Sequence, residues 1–235
     1  LVGLLKMTEE TKKKSRWVKY LIFSAVVFLV VFGALRLYRL SKLYGNSYEF
    51  EGATGNFAFE VVENNGLKQH ILNVYTFEED GKEHQKVIPL RYGPKEMSDI
   101  IVEKEVDNLL LLKTGDEDSL REIIYITQDP ILIDVTNRDS IVASLEIMKV
   151  IGDYSFGVYK IPIKMAYTIN KTSGADDLPI ITCNDVRDHQ GVILLKIGEN
   201  NRIYSDNGCI ILEAKSNKDL IRVSDRLILD ILGVF

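Results

Sequence analysis

The chain has 235 residues, with 29 Lys/Arg against 34 Asp/Glu, three histidines and two cysteines. Its charge is split: residues 1–45 hold nine Lys/Arg against Glu9 and Glu10, about +7, and the remainder holds 20 against 32, about −12. A body that acidic repels phosphate backbones, which argues against nucleic acid as a partner, and two cysteines are too few for a structural zinc site.

Residues 1–16 form a basic tail. Trp17 to Tyr38 then reads W-V-K-Y-L-I-F-S-A-V-V-F-L-V-V-F-G-A-L-R-L-Y, uncharged from Tyr20 to Leu35. At 1.5 Å per helical residue that uncharged core covers roughly 24 Å of a ~30 Å hydrocarbon layer. Snorkelling by Lys19 and Arg36 closes the gap, and Trp17, Tyr20, Tyr38 and Tyr44 suit the two interfaces. The spacing therefore predicts a transmembrane helix over 17–38, with a juxtamembrane stalk over 39–46. Lys12, Lys13, Lys14, Arg16 and Lys19 outnumber Arg36, Arg39 and Lys42, so the positive-inside rule puts the tail in the cytoplasm and the remaining chain outside it. A cleaved signal peptide fits less well, because Phe32-Gly33-Ala34 places a bulky Phe where a small residue is required.

From Ser47 the period changes to two. Phe57, Phe59 and Val61 alternate with Ala58 and Glu60, Asn64-Asn65-Gly66 supplies a turn, and Leu67–Phe77 and Lys82–Leu90 flank the turn Glu79-Asp80-Gly81. These predict a β-meander over 47–92. A mixed α/β lobe is expected over 93–235. Gly93-Pro94 opens a short helix through Ser98, Ile100–Lys113 fits either strand or helix, and Gly115–Asp118 reads as a loop. Glu122–Thr127 reads as a buried strand. Thr136-Asn137-Arg138-Asp139 resembles a capping box opening a helix with Ile141, Val142, Leu145, Met148 and Ile151 on one face. Val158–Tyr167 reads as an edge strand because of Pro162. Further strands are expected at Ile180–Cys183, Val192–Ile197 and Cys209–Glu213. Ser216–Asp219 caps a final helix whose stripe is Leu220, Val223, Leu227, Ile228 and Ile231. The fold class expected is α+β, or α/β, with β predominating and at least two helices after the anchor.

The phrases I-Y-I-T-Q-D-P (124–130), I-T-C-N-D-V (181–186), N-G-C-I-I-L (207–212) and L-D-I-L-G-V (229–234) look similar to uncharacterised single-pass membrane-anchored proteins of archaea. The resemblance covers the latter half of the chain and implies no activity, site or cofactor.

Candidate chemistry is sparse. Gly152–Gly157 partly echoes a kinase glycine-rich loop, with Lys164 beyond it, but the middle glycine is Tyr154 and no H-R-D or D-F-G follows. The same stretch approximates G-x-S-x-G around Ser155, yet it joins a helix to a strand rather than a strand to a helix. His70 and His84 fall on the two arms of the meander hairpin, as exposed strand residues with no third ligand. Cys183 lies six residues from His189, and a Cys–His pair can activate a thiolate. Cys183 and Cys209, 26 apart, can instead close a disulfide worth about 3 kcal/mol in an oxidising compartment. Asn170-Lys171-Thr172 is an N-glycosylation tripeptide, useful as a reporter of translocation. Acidic loops at 78–80, 116–118 and 176–177 lack the EF-hand ladder. Asp129, Asp134, Thr136 and Asn137 cluster after a buried strand, where turn chemistry and helix capping account for them.

The leading expectation is a single-pass membrane-anchored protein presenting an acidic extracytoplasmic domain to protein partners, with no cofactor and no metal. A thiol-dependent enzyme using Cys183 and His189 is the alternative. An inverted anchor with a cytoplasm-facing domain predicts free thiols and an unmodified Asn170.

Overall fold

The computed structural model describes residues 25–36, 47–77, 82–103, 106–113, 116–132, 138–153, 157–169 and 178–235. The chain divides into two compact units, Leu1–Asn46 and Ser47–Phe235.

In the first unit residues 25–36 form a helix, α1. Val26, Val27, Phe28, Leu29, Val30, Val31, Phe32 and Leu35 are all exposed on it, and the Phe28 and Phe32 rings stack one turn apart. Apart from Arg36 at its last position, such a helix is apolar all round, with no polar face to offer water. Among the described residues no helix is long and apolar enough to cross a membrane. The rest of the span expected over 17–38, the tail 1–16 and the stalk 39–46 lie outside the described residues.

The second unit begins with an antiparallel meander of β1 (Ser47–Glu51), β2 (Asn56–Asn64), β3 (Leu67–Phe77) and β4 (Glu83–Leu90), in that spatial order. Alternation sets its register: Tyr48, Phe59, Leu72 and Ile88 face one another across all four strands and turn inward together. Asn65 and Gly66 sit at φ 51° and 75°, the left-handed pair that a two-residue hairpin turn requires.

A six-stranded sheet follows, ordered β5 (Ile101–Val102), β11 (Arg202–Asp206), β12 (Cys209–Ala214), β10 (Gln190–Ile197), β8 (Ile123–Gln128), β9 (Ile163–Tyr167). Strands β8, β9, β10 and β12 run parallel, and β11 opposes β12. Helix α2 (Val106–Leu111) and a short ribbon, β6 (Leu112–Lys113) with β7 (Asp116–Leu120), precede β8. Helix α3 (Asp139–Ile151) links β8 to β9, and α4 (Asn217–Ile231) follows β12. The chain is thus a mixed α+β fold in which strands predominate.

The larger core of this unit spans both sheets. Phe59, Leu72, Ile88 and Leu90 of the meander join Ile126, Ile193 and Leu212 of the larger sheet with Ile147 and Leu227 of α3 and α4. A boundary at 92/93 therefore separates two sheets that share the larger core.

Several local expectations differ from the structure. The buried residues of α3 are Ser140, Ala143, Ser144, Glu146, Ile147, Val150 and Ile151, while Leu145 is exposed. Small side chains allow close helix packing there, which a search for the largest apolar residues overlooks. Ile180–Cys183 is not a strand: Ile180 makes one bridge to Tyr167, and Cys183–Asp185 is a 3-10 turn. Arg202–Asp206 forms strand β11 where no strand is expected, and Asp116 opens β7 rather than sitting in a loop. Val158–Tyr167 shortens to β9 beyond Pro162, and β9 does lie at the sheet edge. In α4, Ser216 accepts a hydrogen bond from the Asp219 amide and the predicted stripe is buried.

Candidate functional site

Helices cover one face of the six-stranded sheet; the other face carries a smaller cluster of Val192, Cys209 and Ile211 with Ile181, Cys183, Val186, Leu194 and Tyr204. The segment 178–189 lies over it. A Cys183–Cys209 disulfide, Cα atoms 5.1 Å apart, ties the 3-10 turn to the first residue of β12. Asp185 closes that turn by accepting from the Thr182 amide at 2.8 Å and its hydroxyl at 2.9 Å. Thr127 of β8 donates to the Ile181 carbonyl at 2.6 Å.

Arg121 fastens the far end. It is buried, and its guanidinium donates to the carbonyls of Arg187 and Asp188, each at 2.6 Å, and of Leu109 at 3.0 Å. Burial pushes its pKa down and the charge of Asp188 opposes that shift. Three carbonyl dipoles solvate the charge here. His189 is exposed in the adjoining turn, where its carbonyl accepts from the Glu122 and Ile123 amides. Cys183 is bonded to Cys209, so in this form it has no thiolate for His189 to activate.

At the other end of the same face Glu213 is buried. It accepts from Arg202 at 3.1 Å, Tyr204 at 3.3 Å and the Asn200 amide at 3.2 Å, with Lys196 at 3.2 Å. Burial alone would raise its pKa, but Arg202, the Asn200 amide and Lys196 together outweigh that and hold it at about 2. Arg202 and Lys196 both stack over the Tyr204 ring, 4.3 and 5.6 Å from its centroid.

The meander holds a polar chain that sequence reasoning missed. His70 is 3 % exposed, not a surface residue. The Tyr48 hydroxyl lies 2.8 Å from its Nδ1. Its Nε2 lies 3.0 Å from Glu96, off a well-aligned N–H···O line. A proton on Nε2 faces the carboxylate and leaves Nδ1 to accept from Tyr48. Glu96 also accepts from the Gly93 amide at 2.8 Å, and Lys68 stands 3.6 Å away. A Cβ at residue 93 would come within 2.7 Å of the His70 ring, so only glycine lets this turn close over it. Burial lowers the His70 pKa against the opposing pull of Glu96. Burial and the Glu96 charge push Tyr48 up to about 12, so its hydroxyl keeps its proton. The arrangement clasps β1, β3 and the 93–96 turn together. His84 pairs with Thr76, six positions along β3 from His70, so the two histidines stand roughly 20 Å apart.

A second polar joint fastens the meander to the helices. Asp225 of α4, fully buried, accepts from the Arg91 and Tyr92 amides at 2.8 and 2.9 Å. Lys149 of α3 donates to the Pro89 carbonyl and to Glu146. Burial lowers the Lys149 pKa to about 8 and raises that of Asp225.

Among the described residues no group of His, Cys, Asp and Glu is arranged to hold a metal ion. Asp129 accepts from the Ile131 amide in a turn, the structural role its neighbour Pro130 suggests. Asn170, Asp134, Thr136, Asn137, the residues 154–156 and the acidic loops at 78–80 and 176–177 lie outside the described residues. In comparisons with known proteins, no family model, no curated protein and no solved structure matches the chain.

Proposed function

We propose that the chain is a single-pass membrane-anchored protein that presents its acidic α+β unit on the extracytoplasmic side as a protein-interaction, accessory or assembly subunit. The observation that carries this reading is α1. Eight large apolar side chains stand exposed around it, a surface disfavoured in water at roughly 25 cal/mol per Å² and at home in lipid. In sequence the apolar run extends beyond α1 on both sides, from Trp17 to Tyr38.

Two further features support the placement. The Cys183–Cys209 disulfide suits an oxidising compartment, and the basic flank Lys12–Lys19 suits a cytoplasmic tail. The interaction role is favoured by what the buried polar groups do. Arg121, His70, Glu213 and Asp225 each fasten backbone segments or strands together, and Cys183 is consumed in a crosslink. Recognition by the outer surface is the reading that this leaves.

Protease accessibility on intact cells tests it, paired with thiol labelling before and after reduction. The expected result is digestion of the 47–235 unit from outside and labelling of both cysteines only after reduction. Protection of that unit with both thiols free, or thiol-dependent turnover by the reduced full chain, would overturn the proposal.

A further inference from the structure

We infer that β1 is a docking edge for an extended, Lys/Arg-alternating segment of a partner protein, which adds to the meander as a fifth strand. This rests on the interaction reading above and names its surface and partner class.

Among the described residues strand β1 pairs only with β2, so its outer backbone groups face away from the sheet. An edge of this kind is a template for strand addition. The other ends of the two larger sheets are blunted. Outer strand β4 carries Lys86 and Pro89, and the Pro89 carbonyl is taken by Lys149. Strand β9 follows Pro162 and is bridged by Ile180, and β5 has two residues. In contrast β1 has five residues, S-Y-E-F-E, with no proline, lysine or bulge.

Its side chains divide cleanly. Tyr48 and Phe50 turn inward, where Tyr48 stacks on Phe59 and Phe50 meets Phe235. Tyr48 is held further by its bond to His70, and Lys95 lies 6.0 Å from its ring. Ser47, Glu49 and Glu51 are exposed on the opposite face. Across β2, Glu49 faces Ala58 and Glu51 faces Asn56, so neither carboxylate has a cross-strand cation, and Glu60 beside Ser47 adds a third negative charge. The strand is seated by its inner residues, and its outer carboxylates face no cation across β2.

Charge selects the occupant. A second copy pairing antiparallel through β1 would set Glu49 against Glu49, and like charges directly opposite are destabilising. A strand with Lys or Arg at every second position would instead meet Glu49 and Glu51 with opposite charge while its backbone completes the ladder. The pattern therefore discourages self-association and admits a basic partner, the two halves of specificity.

The test uses the full chain in detergent micelles and two labelled ten-residue peptides, one alternating lysine with threonine and one alternating glutamate with threonine. Anisotropy titrations are run on the native protein and on the Glu49→Lys/Glu51→Lys variant, with amide exchange read over Ser47–Glu51. The lysine peptide should bind the native chain, protect amides of β1 and weaken as salt rises. The double variant should lose about tenfold in affinity for it and gain binding to the glutamate peptide. No binding of the lysine peptide to the native chain, equal binding by the variant, or protection confined to other strands would overturn the inference. An error in membrane topology would appear in protease accessibility and not here, whereas an error about the edge appears only in this titration.

Discussion

Replacing Tyr48 by Phe removes one hydroxyl and leaves Nδ1 of a buried histidine without its donor, while the ring still stacks on Phe59. The expected cost is about 1–2 kcal/mol, from the desolvated nitrogen rather than from packing. Urea unfolding measures it, and an unchanged midpoint would mean that the clasp contributes nothing. Titration acts on the same residue. Burial depresses the His70 pKa, so neutral His70 supports the fold fully above the unfolded value near 6.5, and that support is lost as pH falls through the folded value. Glu213 acts lower: its stabilisation holds above about 4.3 and fades as pH drops toward about 2. Asp225, whose pKa is raised, gains stability as it protonates and opposes the His70 loss, while Glu96, Asp99 and Asp185 share the lower fall. A Glu213→Gln variant, followed from pH 5 to 2, should therefore lose less stability than the native chain without abolishing that fall. Neither site was legible in the sequence. His70 meets Tyr48 and Glu96 from 22 and 26 positions away, and strand alternation gives its parity without showing that a turn around Gly93 closes over it.

At the scale of elements, segment 178–189 depends on two fasteners of different kinds. The disulfide was one of two states that cysteine spacing left open, and the loop it closes should contribute about 3 kcal/mol. Arg121 had no signal: an arginine between a loop and a strand reads as solvent-facing, and only the fold brings three carbonyls around it. Arg121→Met would leave those carbonyls without their donor, and about 3 kcal/mol should be lost. The disulfide variant Cys183→Ser/Cys209→Ser provides the comparison. If both fasteners hold one segment, amide exchange should rise over 181–190 in either variant and stay unchanged in the meander. Helix legibility divided along similar lines. The stripe of α4 is large and apolar, so periodicity found it, whereas α3 buries Ser140, Ala143 and Ser144, whose small size is their packing merit and hides them from a hydrophobic pattern. The turn that replaces a strand at Cys183 is set by Asp185 bonding back to Thr182, a local side-chain choice that β-propensity does not register.

For the whole molecule, the question is whether the meander is an accessory or part of the fold. Sequence divided the chain at 92/93 because the period-two pattern ends there, and period reports elements, not the faces they bury. The structure joins the parts twice. Apolar side chains of β2, β3 and β4 enter the core lined by α3 and α4, and Asp225 and Lys149 take backbone groups at the end of β4. Separating the sheets would expose Phe59, Leu72, Ile88 and Leu90 together and strip Asp225 of both its amide donors. That cost, about 10 kcal/mol and so comparable to the whole stability of an ordinary domain, makes partial opening of the meander no easier than complete unfolding. A fragment spanning 47–235 should therefore unfold in one transition, with calorimetric and van't Hoff enthalpies in agreement and with meander and α4 amides exchanging together at the highest free energies. Two resolved transitions, with meander amides exchanging first, would show instead that the four-stranded sheet is a separate lobe.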